Sequence, residues 1–447
     1  MCSSNDAIIF APVTPPGQSG VAVFRVSGRD LSGVLSGLSL PAALPAREAV
    51  LCILKDPTNG SPIDQALALY FPAPHSFTGE DVLELHTHGG GAVRRALLDA
   101  LSALPRCRLA EAGEFSKRAF LNGKMDLLQA EGIADLIAAE TAMQQQLALR
   151  QLDGEMSERF ADMRTMALRS LALLEAYLDF PDEEIPEETL NEVNRDLGQL
   201  KHTIHGLLKE PPCGELIREG FTIALIGPPN AGKSSLMNRL AKRDVAIVSD
   251  VAGTTRDRIE VHLNIGGYLV RLIDTAGMRD TQDAIEAEGV RRAKQAASDA
   301  DLTLVIYDIV SDTKQIALHH GLAAEQTLII WNKADQSPAP APPSTGPIAS
   351  LFLSALTGDG IDALLEQIGH RIDSRLTANA SPLLTRTRHR HALGEALASL
   401  EATSAELPLE LMAEDVRAAA RSIGKITGHI DVDQLLDVIF REFCIGK

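Results

Sequence analysis

The chain has 447 residues, 45% of them apolar, 4% aromatic and 23% charged, with a formal net charge of −18. Such acidity argues against a broad nucleic-acid-binding surface, which would be basic, so any RNA contact needs a local patch or a partner that supplies positive charge. No run of about 18 uncharged apolar residues occurs, "MCSSNDAIIFAPVTPP" lacks the basic start and long apolar core of a signal peptide, and the five cysteines (Cys2, Cys52, Cys107, Cys213, Cys444) include no CxxC pair; the expectation is a reduced cytoplasmic protein with no zinc site and no membrane span.

At roughly 150 residues per domain, this length suggests about three domains. Residues 1–118 carry short β-like runs, "AIIFAPV", "GVAVFRVSG", "ALALYF" and "DVLELHTHGGG", punctuated by Gly and Pro, and predict a mixed α+β domain. From 119 to 215 the pattern turns helical. "LLQAEGIADLIAAETAMQQQLALRQL" and "MALRSLALLEAYL" repeat apolar residues at helical spacing, Pro181 and Pro186 bracket an acidic turn, and another helix runs up to Pro211-Pro212. Residues 216–376 alternate "FTIALIG", "YLVRLID", "LTLVIYD" and "TLIIWN" with helical stretches, as a parallel α/β sheet requires. The Pro-rich "SPAPAPPSTGP" at 337–347 reads as a surface loop. Residues 377–447 are helical again, and Val432, Leu435, Leu436, Ile439, Phe440 and Phe443 form one apolar stripe. The predicted architecture is one helical domain made from two distant segments, with the α/β domain inserted between them. There is no internal repeat.

The α/β segment carries the chemistry. "GPPNAGKS", Gly227 to Ser234, follows a strand and opens a helix, and fits G-x-x-x-x-G-K-[ST]. Its glycines let backbone N–H groups approach phosphates, Lys233 is expected to reach the β- and γ-phosphates, and Ser234 to ligate Mg²⁺. "NKAD", Asn332-Lys333-Ala334-Asp335, follows a later strand. An ionised Asp335 accepts two hydrogen bonds from guanine N1–H and its amino group, a donor pair adenine lacks. Asn332 supports the base and the loop, and Lys333 can cover the ring face. "SAL", Ser354-Ala355-Leu356, fits a supporting guanine loop. Asp274 opens "DTAG" as a residue behind the Mg²⁺, with the Gly277 N–H available to the γ-phosphate. "GTTRD" from Gly253 lies where a switch threonine ligates Mg²⁺ when GTP is bound; the adjacent Thr254 and Thr255 leave that choice open from spacing alone. After Gly277 stands Met278, where Ras-type enzymes place a glutamine that holds the attacking water. A thioether cannot orient water.

The order GPPNAGKSS, SDVAGTTRD, DTAG and NKAD resembles the TrmE/Era/Der group of bacterial GTPases. "TPPGQSGVAVFRVSG", "SFTGEDVLELHTHGGG", "GEFSKRAFLNGKMDLLQAE", "FPDEEI" and the terminal "FCIGK" narrow the resemblance to the MnmE (TrmE) family of tRNA modification GTPases, over essentially the whole chain. The resemblance implies a multidomain fold. Residues 1–118 form an α+β tetrahydrofolate-binding and homodimerising domain. Residues 119–215 and 377–447 form a discontinuous all-α helical domain. An α/β Ras-like P-loop G domain is inserted at 216–376. It also implies a heterotetramer with the FAD-dependent partner MnmG, which would hold most of the tRNA. The product would be a carboxymethylaminomethyl group on C5 of wobble uridine 34, with its carbon from 5,10-methylene- or 5-formyltetrahydrofolate.

By the same resemblance GTP would contact Gly227, Asn230, Ala231, Gly232, Lys233, Ser234 and Ser235. The first switch would add Ser249, Asp250, Val251, Ala252, Gly253, Thr254 and Thr255, and the second Asp274, Thr275, Ala276 and Gly277. Two replacements for the missing glutamine are implied. One is a K⁺ held by the Asn230 side chain and backbone carbonyls of Ser249, Val251 and Thr254, with Mg²⁺ on Ser234 and Thr255; the family has threonine where Ser249 stands, a change that a backbone ligand tolerates. The other is Glu286, which would position the attacking water through a second water. With Lys233 and Asn230 it completes the implied catalytic set. Folate positions map to Arg25, Glu84, Lys124 and Lys447, and Cys444 in the terminal "CIGK" serves the modification chemistry, closes the folate pocket or packs behind Phe443. His86 and His88 lack an evident third ligand and read as structural, as do His319, His320, His389 and His391.

The competing reading is an Era/Der-like ribosome-assembly switch. It needs a basic RNA-binding domain after the G domain, and residues 377–447 are not notably basic. A folate-binding module with an inactive G domain is disfavoured by the intact Lys233, Ser234, Asp274 and Asn332.

Overall fold

Alternation of inward apolar and outward residues builds the first sheet of the computed structural model, which describes residues 7–179, 187–243, 245–247, 260–274, 295, 297–311, 322–336, 347–376, 384–403, 407–429, 436, 439–440, 443 and 446. The six-stranded sheet has the order β3-β4-β5-β2-β1-β6. Its strands are β1 Ile8–Pro12, β2 Ala22–Gly28, β3 Val50–Lys55, β4 Pro62–Phe71, β5 Asp81–Thr87 and β6 Cys107–Leu109. Only the β1–β6 pair is parallel. Phe10, Phe24, Val26, Leu83 and Leu85 bury one face together with Leu97 and Leu101 of the helix Gly91–Ser102. The β3 run "VLCILK" is apolar without a break in the sequence; only in the sheet do Cys52 and Leu54 turn inward while Leu51 and Ile53 stay exposed.

This sheet belongs to a unit made of Met1–Ala134, Gln151–Arg169 and Ala420–Lys447. The expected C-terminal stripe does its packing here. Leu436, Ile439, Phe440 and Phe443 cluster with Leu127 and Ala130. Gly113 has φ 68 and sits so close that a Cβ would fall 2.5 Å from the Phe440 carbonyl oxygen. Val432 and Leu435 of the same stripe lie outside the described residues.

The second unit, Asp135–Arg150 and Ser170–Ala419, holds a seven-stranded sheet of order β13-β12-β11-β7-β10-β9-β8. These strands are β7 Phe221–Ile226, β8 Ala246–Ile247, β9 Glu260–Ile265, β10 Tyr268–Asp274, β11 Leu302–Asp308, β12 Thr327–Asn332 and β13 Ser350–Phe352. The expected parallel sheet carries an antiparallel edge in addition. β10, β7, β11, β12 and β13 run parallel, but β9 is antiparallel to β10 and to β8. The cause is Gly266-Gly267, whose φ values of 63 and 91 make the tight hairpin turn that returns the chain alongside itself. Buried Ile223, Leu225, Leu272, Leu304 and Ile330 meet Leu236, Leu240, Leu364 and Ile368 on one face; Tyr307 and Trp331 stack on the other.

The helical run over 127–152 is two helices, Leu127–Ala138 and Ala142–Leu152. Gln144 Oε1 accepts the backbone N–H groups of Glu140 at 2.9 Å and Thr141 at 3.1 Å, which satisfies the donors at the start of the second helix. "MALRSLALLEAYL" lies within the helix Glu155–Asp179. Helices Glu187–Lys209 and Thr387–Ala402, from either side of the α/β segment, pack on each other. Arg390 donates to the carbonyls of Leu208 at 3.2 Å and Glu210 at 3.0 Å and pairs with Glu215 at 3.1 Å. The acidic turn at 181–186 and residues 337–346 lie outside the described residues. Among the described residues, no helix is long and apolar enough to cross a membrane.

A buried ionic chain braces the first unit. Arg118, 6% exposed, donates to Glu80 at 2.9 Å, to Glu114 at 3.2 Å and to the Ala7 carbonyl at 2.9 Å. Glu114 also takes two bonds from Arg108, at 2.8 and 2.6 Å. Burial pushes the Glu114 carboxyl up, but the bonds from Arg108 and the Glu111 N–H, with the Arg108 and Arg118 charges, outweigh it and hold the group below the ordinary glutamate value. A carboxylate depressed on folding contributes stability above its unfolded value, about 4.3, and loses it as pH falls through the folded value. Urea midpoints are therefore expected to drop on acidification below about pH 4. Glu114→Gln should lower the midpoint at neutral pH and flatten this acid limb; an unchanged slope would exclude Glu114 as its source.

Candidate functional site

The expected P-loop leaves β7 at Ile226 and enters the helix Lys233–Ala241. Two glycines are demanded by contact. A Cβ on Gly227 would lie 2.2 Å from the Ile306 carbonyl oxygen, and one on Gly232, which has φ 98, would lie 2.1 Å from Asn332 Nδ2. Asn230 adopts φ 64, a left-handed conformation that asparagine tolerates better than most residues. Lys233 is 8% exposed, and its ammonium donates to the carbonyls of Gly227 and Pro228, both at 2.8 Å. That curls it back over the P-loop. Ser234 Oγ stands 3.5 Å from a carboxylate oxygen of Asp274, which ends β10 and is 2% exposed. A hydroxyl beside a buried carboxylate is the hard-oxygen set that Mg²⁺ takes.

The base side is built around Asn332, 2% exposed at the end of β12. Its Nδ2 donates to the Ala231 carbonyl in the P-loop at 2.8 Å, and its Oδ1 accepts the Ala355 N–H at 3.0 Å. One amide thus joins the phosphate loop to the Ser354–Leu356 loop. Ala334 and Asp335 form a short 3-10 turn, and Asp335 lines a cavity of about 680 Å³ with Gly232, Ser235, Ala355 and Leu356. Ser354 is fully buried; its hydroxyl accepts the Thr357 N–H at 3.1 Å and its carbonyl the Gly358 N–H at 2.8 Å, which fixes the loop.

Lys333 is anchored at its tip. Its ammonium is held by Asp308 at 2.6 Å, so only its stem is left to cover a base. Burial pushes the Asp308 carboxyl up, but hydrogen bonds from Lys333 and the Val310 N–H more than offset this and lower it. The sequence held one signal for Asp308: it ends "LTLVIYD" as Asp274 ends "YLVRLID".

In the other unit Arg25 and Glu84 are register partners on β2 and β5, joined at 3.0 and 2.8 Å. The Arg25 guanidinium lies 4.9 Å from the Phe77 ring centre and 5.8 Å from that of Phe115. Lys124 donates to the Pro74 carbonyl at 3.0 Å, and its stem crosses Gly79. The loop from Pro74 to Gly79 thus meets Arg25 through Phe77 and Lys124 through its two ends. Phe77 and Phe115 carry no sequence signal for this role. Gly446, with φ 102, sits on β1, where a Cβ would fall 2.5 Å from the Pro12 carbonyl oxygen; Ala11 beside it pairs with Arg25. His86 Nε2 lies 3.6 Å from Glu84, and the backbone N–H and Nδ1 of His88 both meet Asp64, at 2.7 and 2.8 Å. His389 is buried and His391 pairs with Glu395 at 3.4 Å. Among the described residues, no group of three or more His, Cys, Asp or Glu is placed to hold a metal ion. Ser249, Asp250, Val251, Ala252, Gly253, Thr254, Thr255, Thr275, Ala276, Gly277, Met278, Glu286, His319, His320, Cys444 and Lys447 lie outside the described residues.

Asn332→Ala would strand the Ala231 carbonyl and the Ala355 N–H at once. A buried polar group without a partner costs about 1–3 kcal/mol, so GDP affinity is expected to fall by roughly 10- to 100-fold. Isothermal titration reads this directly, and a loss under twofold would show that the bridge is not needed.

Residues 8–124 match the family model described as "GTP-binding protein TrmE N-terminus", and residues 127–444 match that described as "MnmE helical domain". The chain is 48% identical over 443 residues to the tRNA modification GTPase MnmE of Parvibaculum lavamentivorans, covering 98% of this chain and 99% of that one. With those of Paramagnetospirillum magneticum and Rhodospirillum rubrum the identities are 47% and 48%, at the same coverage. A P-loop with Ser234 beside the buried Asp274, and a guanine-type NKAD turn that shares a cavity with Gly232 and Ser235, agree with these matches along the chain's length, and the chain belongs to the MnmE family of tRNA modification GTPases.

Proposed function

We propose that this GTPase of tRNA modification is stimulated by K⁺ and acts in the cytoplasm as a homodimer with an FAD-dependent partner of the MnmG type. Together they add a carboxymethylaminomethyl group to C5 of wobble uridine 34, with carbon from 5,10-methylene- or 5-formyltetrahydrofolate. The observation that carries the GTPase part is the Asn332 bridge, which holds a guanine-reading turn and a phosphate loop in fixed relation.

Asp335 accepts guanine N1–H and the 2-amino group. Lys233 swings from the Gly227 and Pro228 carbonyls to the β- and γ-phosphates. Ser234 and Thr255, backed by Asp274, hold Mg²⁺, and Asn230 with the Ser249, Val251 and Thr254 carbonyls holds K⁺. These cations supply positive charge against the charge that develops at the β–γ bridge. Glu286 orients the attacking water, the task that Met278 cannot perform.

Arg25, Glu84, Lys124 and Lys447 bind the folate. Support comes from the Arg25–Glu84 pair and from Gly446 lying against Pro12 on the neighbouring strand. On the same face of that sheet, Leu51 and Leu67 face each other across β3 and β4 while 63% and 41% exposed. An apolar face beside a ligand pair suits a second copy of the chain. The net charge of −18 favours tRNA held mainly by the partner. Cys444 takes part in the modification or closes the folate site.

GTP turnover should be several-fold faster in KCl than in NaCl at equal ionic strength, and Glu286→Ala should keep GTP binding while losing most turnover. Equal rates in the two salts would remove the ion site, and wild-type turnover in the variant would remove Glu286. For the tRNA role, mass spectrometry of wobble uridines from a deletion strain should show the modification missing; normal uridines would refute it and leave the GTPase reading intact.

A further inference from the structure

The helix after the P-loop does more than present Ser234 and Ser235. Ser235, Asn238, Arg239 and Lys242 recur at helical spacing, and all line the cavity on the base side. Arg239 is half-buried. Its Nε donates to the Ala355 carbonyl at 3.0 Å, and its Nη2 to the Leu356 carbonyl. A planar guanidinium can serve two successive carbonyls in one plane, which a lysine ammonium cannot reproduce. The Ser354–Leu356 loop is therefore held on both sides, by Asn332 at the Ala355 N–H and by Arg239 at the two carbonyls.

The loop and Asp335 face different parts of a purine's hydrogen-bonding edge. Asp335 is an acceptor and suits guanine N1–H and the 2-amino group. Of the loop's N–H groups, that of Ser354 goes to the Asp359 carbonyl and that of Ala355 to Asn332, which leaves the Leu356 N–H as the donor that suits the keto oxygen at position 6. Its usefulness depends on where it stands relative to the phosphates, and Arg239 is rooted on the phosphate-binding helix one turn beyond Ser235.

We propose that Arg239 is a positioning residue for base selection: it bolts the Ser354–Leu356 loop to the P-loop helix and so fixes the Leu356 N–H, the donor that reads the purine 6-position. This rests on the guanine-site reading given above, and the test separates the two. The full chain is titrated with GDP, IDP, which lacks the 2-amino group, and 6-thio-GDP, whose larger sulfur is a weak acceptor at the 6-position. Arg239→Ala should lower GDP affinity about tenfold and collapse the preference for GDP over 6-thio-GDP, while the preference for GDP over IDP is unchanged. Arg239→Lys should fall between. Asp335→Ala should instead collapse the preference for GDP over IDP. If Asp335→Ala leaves that preference intact, the guanine-site reading fails. If Asp335→Ala behaves as expected but Arg239→Ala leaves the 6-thio-GDP preference intact, the positioning role fails. A uniform loss for all three nucleotides with a lowered Tm would also overturn it, because Arg239 would then only stabilise the fold.

Discussion

The nucleotide half of this protein depends on one buried amide. Asn332 donates to the P-loop at Ala231 and accepts from the Ser354–Leu356 loop at Ala355, and both groups are out of reach of water. Either loop alone is a short irregular segment whose conformation is costly to fix. Joined through a side chain that closes a parallel strand, they inherit the rigidity of the sheet. The close approach leaves no room for a Cβ at Gly232, so the P-loop glycine and the asparagine about a hundred residues later are one constraint seen from two ends.

Two ionic groups of the first unit differ in purpose. Glu80, Arg118, Glu114 and Arg108 satisfy one another and gather Ser27 and Thr78 into the same network, which suits a brace. Arg25 and Glu84 also pair, but they stand on the face opposite the main core and are partly exposed, with an aromatic ring under the guanidinium and Gly446 against the end of the adjacent strand. An ion pair that is only part-buried and lies beside exposed apolar residues can exchange its partner for a ligand at modest cost. In the nucleotide unit, the Lys333–Asp308 pair has this brace-like character too: it removes a flexible cation from the base side and pins the turn that carries Asp335.

Sequence alone determined what depends on contiguous residues. Backbone cradling of phosphate needs glycines, a lysine and a hydroxyl at fixed spacing, and guanine recognition needs an aspartate in a tight turn after a strand; both were legible at Gly227–Ser234 and Asn332–Asp335. The terminal apolar stripe was legible for the same reason. What only tertiary structure decided are contacts between positions far apart in the chain: Asp308 with Lys333, Arg239 with the Ala355 and Leu356 carbonyls, Phe77 beneath Arg25, and Phe440 against Gly113. The parallel sheet expected from four apolar runs missed β8 and β9, because the Gly266-Gly267 hairpin and its polar strand "EVHLNI" carry no run of apolar residues. Local spacing records the chemistry a loop must perform, whereas the partner that holds that loop still is chosen by which surfaces the folded core brings together.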